Sequence, residues 1–232
     1  YRFTWQKETD SFESETKNVA YLANGRINEM TSVSQSIADD LSALLHENAG
    51  QAEFLRSLQL FCNASRFSNI KYFKGDTASN MSGTRALSVP PDILDNRARE
   101  NGNIKRISYA YDEDLKGKAI EVYIPMAAGD ITGIITVMSM QDFSDSIQLS
   151  ANSGYSGYLV DASGSLLLTD KTGASASGSI LETLQAGFKD EDTLDLMKAI
   201  KSGTAHTAQN LSVGDGVLAS YQQCHYTPDV TR

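Results

Sequence analysis

Two neighbouring stretches, Lys118-Ala-Ile-Glu-Val-Tyr-Ile-Pro-Met126 and Ile131-Thr-Gly-Ile-Ile-Thr-Val-Met-Ser-Met140, decide the fold class. The first alternates, as a strand with one covered face does, and the second is the apolar run of a buried strand. Asp130 marks the turn between them. Just upstream, Lys105 to Asp112 alternates as well, joined to Lys118 by the polar connection Asp112-Glu113-Asp114-Leu115-Lys116-Gly117. Three strands in succession, joined by short polar turns, predict an antiparallel meander.

Towards the N-terminus, Asn69 to Lys74 reads as another strand and Gly75-Asp76 as a turn. Residues Thr77 to Gly83 are polar and loop-like, and Arg85 to Val89 form a short strand. Pro90-Pro91-Asp92 opens a short helix that runs through Ile93, Leu94 and Arg97 to Glu100, and Asn101-Gly102-Asn103 closes it. About five strands with helices set to one side give an α+β sheet of about 100 residues.

Ahead of this sheet, Gln6 to Asn48 contains no proline. Ala23, Ile27, Met30, Ile37, Leu41 and Leu44 follow a 3-4 rhythm, with Ser34 in the one polar slot. That is a helix with a narrow apolar stripe, a rod of about 60 Å at 1.5 Å per residue. Its first half, Glu8 to Asn18, is polar except for Phe12, and is expected to project as a stalk or dimer seam. Asn48-Ala49-Gly50 breaks the rod. A second helix, Gln51 to Ser65, carries Phe54, Leu55, Leu58 and Phe61 at core spacing.

Beyond Met140 the layout repeats. Gln141 to Ser150 is a short helical connector. Ser156 to Asp161 and Ser165 to Thr169 form a hairpin across Ala162-Ser163-Gly164, and a small-residue loop, Lys171 to Gly178, follows. Helices fit Ser179–Gly187 and Asp192–Ser202, and strands fit Thr204–Leu211 and Val217–His225, joined by Gly214-Asp215-Gly216. The domain division expected is 1–50 for the stalk helix, 51–145 for a first module and 146–232 for a second, short of its last strand.

The chemistry is bounded by exclusions. A net charge of -9 argues against nucleic acid and against an anionic lipid surface. Cys62 and Cys224 have no zinc-site spacing, which leaves two separate thiols or one disulfide open. His46, His206 and His225 lack metal-ligand spacing, so no metal and no cofactor is expected. The acidic runs Asp112-Glu113-Asp114 and Asp190-Glu191-Asp192 lack the EF-hand pattern and read as solvated loop charge. No P-loop, GxGxxG or GxSxG elbow is present. No catalytic residue is therefore assigned. No apolar run reaches membrane-spanning length, and the start at Tyr1-Arg2-Phe3-Thr4-Trp5 reads as a cut just outside a membrane span.

The stretch Gly154-Tyr-Ser-Gly-Tyr-Leu-Val-Asp-Ala-Ser-Gly-Ser-Leu-Leu-Leu-Thr-Asp170 resembles the opening hairpin of a Cache module. Ile120-Glu-Val-Tyr-Ile-Pro-Met126 with Gly133-Ile-Ile-Thr-Val137 resembles the paired strands that end the membrane-distal half of a double Cache sensor. By layout the resemblance covers essentially the whole chain. It implies a long N-terminal helix and two tandem PAS-like modules with antiparallel sheets. It also implies a place outside the cytoplasmic membrane, between two spans absent from this chain. There such domains bind small metabolites and pass a signal to a cytoplasmic kinase, cyclase or chemotaxis module. Many members that bind amino acids carry an R-x-W-Y motif and a later Asp. Here the only tryptophan is Trp5, and the Asp position falls near Ser139.

The pocket expected in such a sheet is lined by Tyr72, Arg97, Arg106, Tyr109, Tyr111 and Tyr123. Tyrosines supply rigid walls with one polar tip, and arginine clamps a carboxylate. The function expected is a non-enzymatic sensor of a small molecule, such as a carboxylate or another metabolite. The alternatives are a ligand-free module that dimerises through the N-terminal helix, and an extracytoplasmic hydrolase.

Overall fold

The computed structural model describes residues 2–47, 49–74, 77–81, 86–88, 106–147, 156–160, 163–169, 178–210 and 217–222. The helix at Pro90–Glu100, the turns at 75–76 and 214–216, and the tail from 223 lie outside these residues. The chain divides into two compact units. Of the described residues, one holds Ile27–Ser139 and the other those up to Arg26 and those from Met140 to Gln222.

The unit Ile27–Ser139 is built on a six-stranded antiparallel sheet. Its strands are β1 (Asn69–Lys74), β2 (Thr77–Ser79), β3 (Ala86–Ser88), β4 (Arg106–Asp112), β5 (Gly117–Ala128) and β6 (Ile131–Ser139). The order across the sheet is β3-β2-β1-β6-β5-β4. The last strand of this sheet in sequence, β6, thus lies between β1 and β5, pairing Tyr72 with Ile134 on one side and Ile124 with Ile134 on the other. The sequence predicted a loop at Thr77–Ser79, but the chain forms a strand there. Its backbone pairs β1 on one side and β3 on the other, Ala78 opposite Phe73 and Leu87. Ladder hydrogen bonds are made by the main chain, so polar side chains do not prevent them.

One face of this sheet carries helix. The long helix α1 (Arg2–His46) contributes its portion from Ile27 on, and α2 (Gln51–Ser65) lies beside it in sequence. Ile27, Met30, Ser34, Ile37 and Leu41 are buried, which is the stripe read from the sequence. Ser34 is no defect in that stripe. Its hydroxyl donates to the Met30 carbonyl one turn back and meets the Thr136 hydroxyl of β6. In α2, Phe54, Leu58 and Cys62 are buried, and the Phe54 ring meets Tyr72 of β1 edge-on with centroids 5.3 Å apart. Cys62 is a free thiol that donates to the Phe67 carbonyl, and burial pushes its pKa up.

The second unit holds the first part of α1, then α3 (Met140–Ile147), β7 (Tyr158–Val160), β8 (Leu166–Thr169), α4 (Ile180–Gly187), α5 (Asp190–Ser202), β9 (His206–Asn210) and β10 (Val217–Tyr221). β7–β8 and β9–β10 are antiparallel hairpins. Leu166, Ile180, Leu184, Leu196, Ile200 and Ala208 form its core. Ser179 caps α4 by accepting from the Leu181 N–H, and Gly203, at φ +67, ends α5. The acids Asp190, Glu191 and Asp192, read as loop charge, form the first turn of α5, where they meet the positive end of the helix dipole. The first half of α1 also departs from a bare stalk, because Thr9 is buried and Phe12 and Thr16 are half-buried. Thr16 satisfies its hydroxyl on the Phe12 carbonyl at 2.9 Å, so a polar residue needs no water there.

Among the described residues, no helix is long and apolar enough to cross a membrane.

Candidate functional site

Strand alternation sorts side chains onto opposite faces of the six-stranded sheet. Tyr72, Ile134 and Thr136 point to α1 and α2. Their neighbours Phe73, Ile135 and Val137 point the other way, and with Ala78, Ala119 and Tyr123 they form an apolar cluster joined by Leu115. Phe73 and Tyr123 meet edge-to-face across β6, with centroids 5.6 Å apart. Gly133 lies between them in the sheet. A Cβ there would sit 2.7 Å from Tyr123 Cε2, 2.9 Å from its Oη and 3.0 Å from the Ile124 carbonyl oxygen. The missing side chain is what lets the tyrosine ring lie over the strand.

Set into this apolar face is a cluster of buried charge. Lys71 of β1 is 8% exposed, Glu121 of β5 is 5% exposed and Asp112 of β4 is fully buried. The Lys71 ammonium lies 2.7 Å from Asp112 Oδ2 and 3.3 Å from Glu121 Oε1. Asp112 Oδ1 accepts the backbone N–H groups of Asp114 and Leu115, at 2.8 and 2.9 Å. Those bonds close the turn into β5, where Lys116 takes a positive φ of 52°. Asn69, two residues before Lys71, donates to Asp114 at 3.1 Å. Burial alone pushes the Lys71 pKa down. Its contacts with Asp112 and Glu121 together outweigh that and hold the ammonium above the ordinary lysine value.

This corrects the reading of Asp112 as loop charge. It is the one acid of its run that turns into the sheet, while Glu113 and Asp114 stay exposed. Lys71 and Glu121 were not singled out from the sequence at all. The signal available was a charge in phase with the buried positions of a strand, as in Asn69-Ile-Lys-Tyr-Phe-Lys74.

The six residues expected to line a pocket do not share one face. Tyr123 lies in the apolar cluster beside the charges. Tyr72 is buried on the opposite face, against Phe54. Tyr111 pairs with Lys118 and is 64% exposed. Arg106 and Tyr109 are described by backbone pairing, Arg106 opposite Tyr123 and Tyr109 opposite Ile120. Arg97 lies outside the described residues. Among the described residues, no group of histidine, cysteine and carboxylate side chains could hold a metal ion.

No protein-family model matches the chain, and neither does any curated protein. Solved structures do match its fold. The sensory domain of the Campylobacter jejuni chemoreceptor Tlp3, with isoleucine bound, superposes with a TM-score of 0.65 at 12% identity, covering 95% of this chain and 89% of that one. The periplasmic sensory domain of the C. jejuni chemoreceptor Tlp1 gives 0.61 at 15% identity, over 94% and 90%. The ligand-binding domain of the Pseudomonas aeruginosa amino acid chemoreceptor PctC, in complex with GABA, gives 0.58 at 15% identity, over 88% and 90%. The chain therefore has the fold of chemoreceptor sensory domains, with a long N-terminal helix leading into an antiparallel sheet.

Proposed function

We propose that this chain is an extracytoplasmic sensing domain that binds a small molecule and passes the signal through flanking membrane spans to a cytoplasmic output module. The observation that carries the reading is the buried Lys71–Asp112–Glu121 cluster within the apolar sheet face opposite α1 and α2. Desolvating three charges is expensive, and apolar replacements of similar volume serve stability as well or better. A convergent polar group in an apolar setting is the usual make-up of a small-molecule site. The fold shared with Tlp3, Tlp1 and PctC supports the same role, since their structures are of sensory or ligand-binding domains.

In this reading the chain comprises two tandem PAS-like modules, a membrane-distal one over 51–145 and a membrane-proximal one over 146–232, after a helix over 1–50. The ligand sits on the distal sheet, with Phe73 and Tyr123 as its wall and with Arg106, whose backbone pairs opposite Tyr123 in the ladder, among the residues that serve it. Binding and relay of a signal call for no catalytic group.

A thermal-shift screen of carboxylates, amines, purines and sugars tests the proposal. A ligand raises Tm in proportion to the logarithm of its concentration over Kd. The expected result is a rise that keeps growing with the logarithm of ligand concentration and that Tyr123→Ala weakens. A screen in which no compound moves the transition of the wild-type domain overturns it.

A further inference from the structure

We infer that Lys71 occupies, from within the chain, the place a ligand's ammonium group would take, so that this site admits amine-free molecules bearing a carboxylate or carbonyl and rejects primary amines. The inference rests on the sensing role proposed above and names the ligand class of that site.

Isoleucine and GABA, the molecules bound in the Tlp3 and PctC structures, each combine an ammonium with a carboxylate. Burying an ammonium requires acceptors, and carboxylates are the strongest a protein has. Among the described residues the buried carboxylates on this sheet face are Asp112 and Glu121, and both hold Lys71. Asp112 Oδ1 is taken by two backbone N–H groups, and Oδ2, the oxygen left for a cation, already has the Lys71 ammonium 2.7 Å away. An incoming ammonium would have to displace Lys71 or sit beside it. Two unit cations about 4 Å apart repel by about 4 kcal/mol even at an effective dielectric of 20, which is about a thousandfold in affinity.

Lys71 also sets what can bind. An ammonium has three N–H donors, and among the described residues two carboxylates engage it. The remaining donor suits an acceptor oxygen on a ligand lying against Phe73 and Tyr123. A ligand with a carboxylate or carbonyl at one end and an apolar body fits both halves of the face.

The test is chemical rescue combined with matched ligand pairs. In Lys71→Ala, n-propylammonium replaces the missing end of the side chain. It should restore most of the lost Tm, whereas equal concentrations of potassium chloride should not. It should not stabilise the wild type or Lys74→Ala, a control whose partner Asp130 is exposed. Wild-type domain is also titrated calorimetrically with isoleucine against 3-methylpentanoate and with GABA against butanoate. Neither amine should bind, and Lys71→Met should gain affinity for an amine by at least tenfold. Saturable binding of either amino acid to the wild type overturns the inference, as does rescue no better than salt. If Lys71→Ala does not fold, Lys71→Met and the wild-type titrations decide alone. The sensing role fails separately, if no small molecule of any class binds wild type.

Discussion

Substituting Gly133 by alanine separates a glycine kept for packing from one that is merely tolerated. Gly133 has ordinary strand backbone, so propensity predicts that alanine stabilises it by about 0.5–1 kcal/mol. The local geometry predicts the reverse. The new methyl carbon would lie 2.7 Å from Tyr123 Cε2 and 3.0 Å from the Ile124 carbonyl oxygen. The ring can swing away only by leaving its contact with Phe73, and the carbonyl belongs to the neighbouring strand of the ladder. Overpacking of this kind costs about 1–3 kcal/mol, so the net loss is about 1–2 kcal/mol. For a chain of this size that lowers Tm by about 2–4 °C per kcal/mol. Urea denaturation of Gly133→Ala, of Tyr123→Leu and of the double variant measures the coupling. The cost of the alanine should shrink by about 1 kcal/mol once the ring is gone. An alanine that is neutral or stabilising in the wild-type background refutes the argument.

Lys71→Met should cost about 3–5 kcal/mol, read from the urea midpoint, because Asp112 and Glu121 would remain buried without their cation. The folded pKa of Lys71 is raised, so its contribution is fully present below the ordinary lysine range and fades as pH rises through the folded value; the alkaline loss of stability in the wild type should be smaller in Lys71→Met. Ser34→Ala should cost about 1–3 kcal/mol by stranding the Thr136 hydroxyl, and the double variant with Thr136→Val should recover much of it. Gly164→Ala should cost about 1–3 kcal/mol by thermal denaturation, since its φ of +84° suits glycine and little else.

Elements with a clear period were legible in the sequence. The helix Gln51–Ser65 has the predicted bounds, and β1, β5 and β6 lie where alternation or an apolar run placed them. β2 was not legible, because three residues are too few for a period and Thr77 and Ser79 are polar. The site was barely legible. Tyr123 was named, but Lys71, Asp112 and Glu121 each look like surface charge alone. Only the order β1-β6-β5-β4 brings them together, across a separation of up to 50 positions. Strand order across a sheet is a tertiary fact, so no local window contains the cluster. Tyr72 and Tyr111 failed to join Tyr123 for a simpler reason: parity along the strand turns each of them to the other side.

The hydroxyl pair between Ser34 and Thr136 has a consequence for motion. The other described residues of the stripe, Ile27, Met30, Ile37 and Leu41, are hydrocarbon, which sets no position along the seam. Were α1 to slip by one turn, about 5.4 Å, Thr136 would face Met30 or Ile37 in place of a serine. The Thr136 hydroxyl would then lie in oil, at about 1–3 kcal/mol, while Ser34 keeps its bond to the Met30 carbonyl. The pair is a detent in an otherwise smooth track, and any displacement of the helix along β6 has to click between stations.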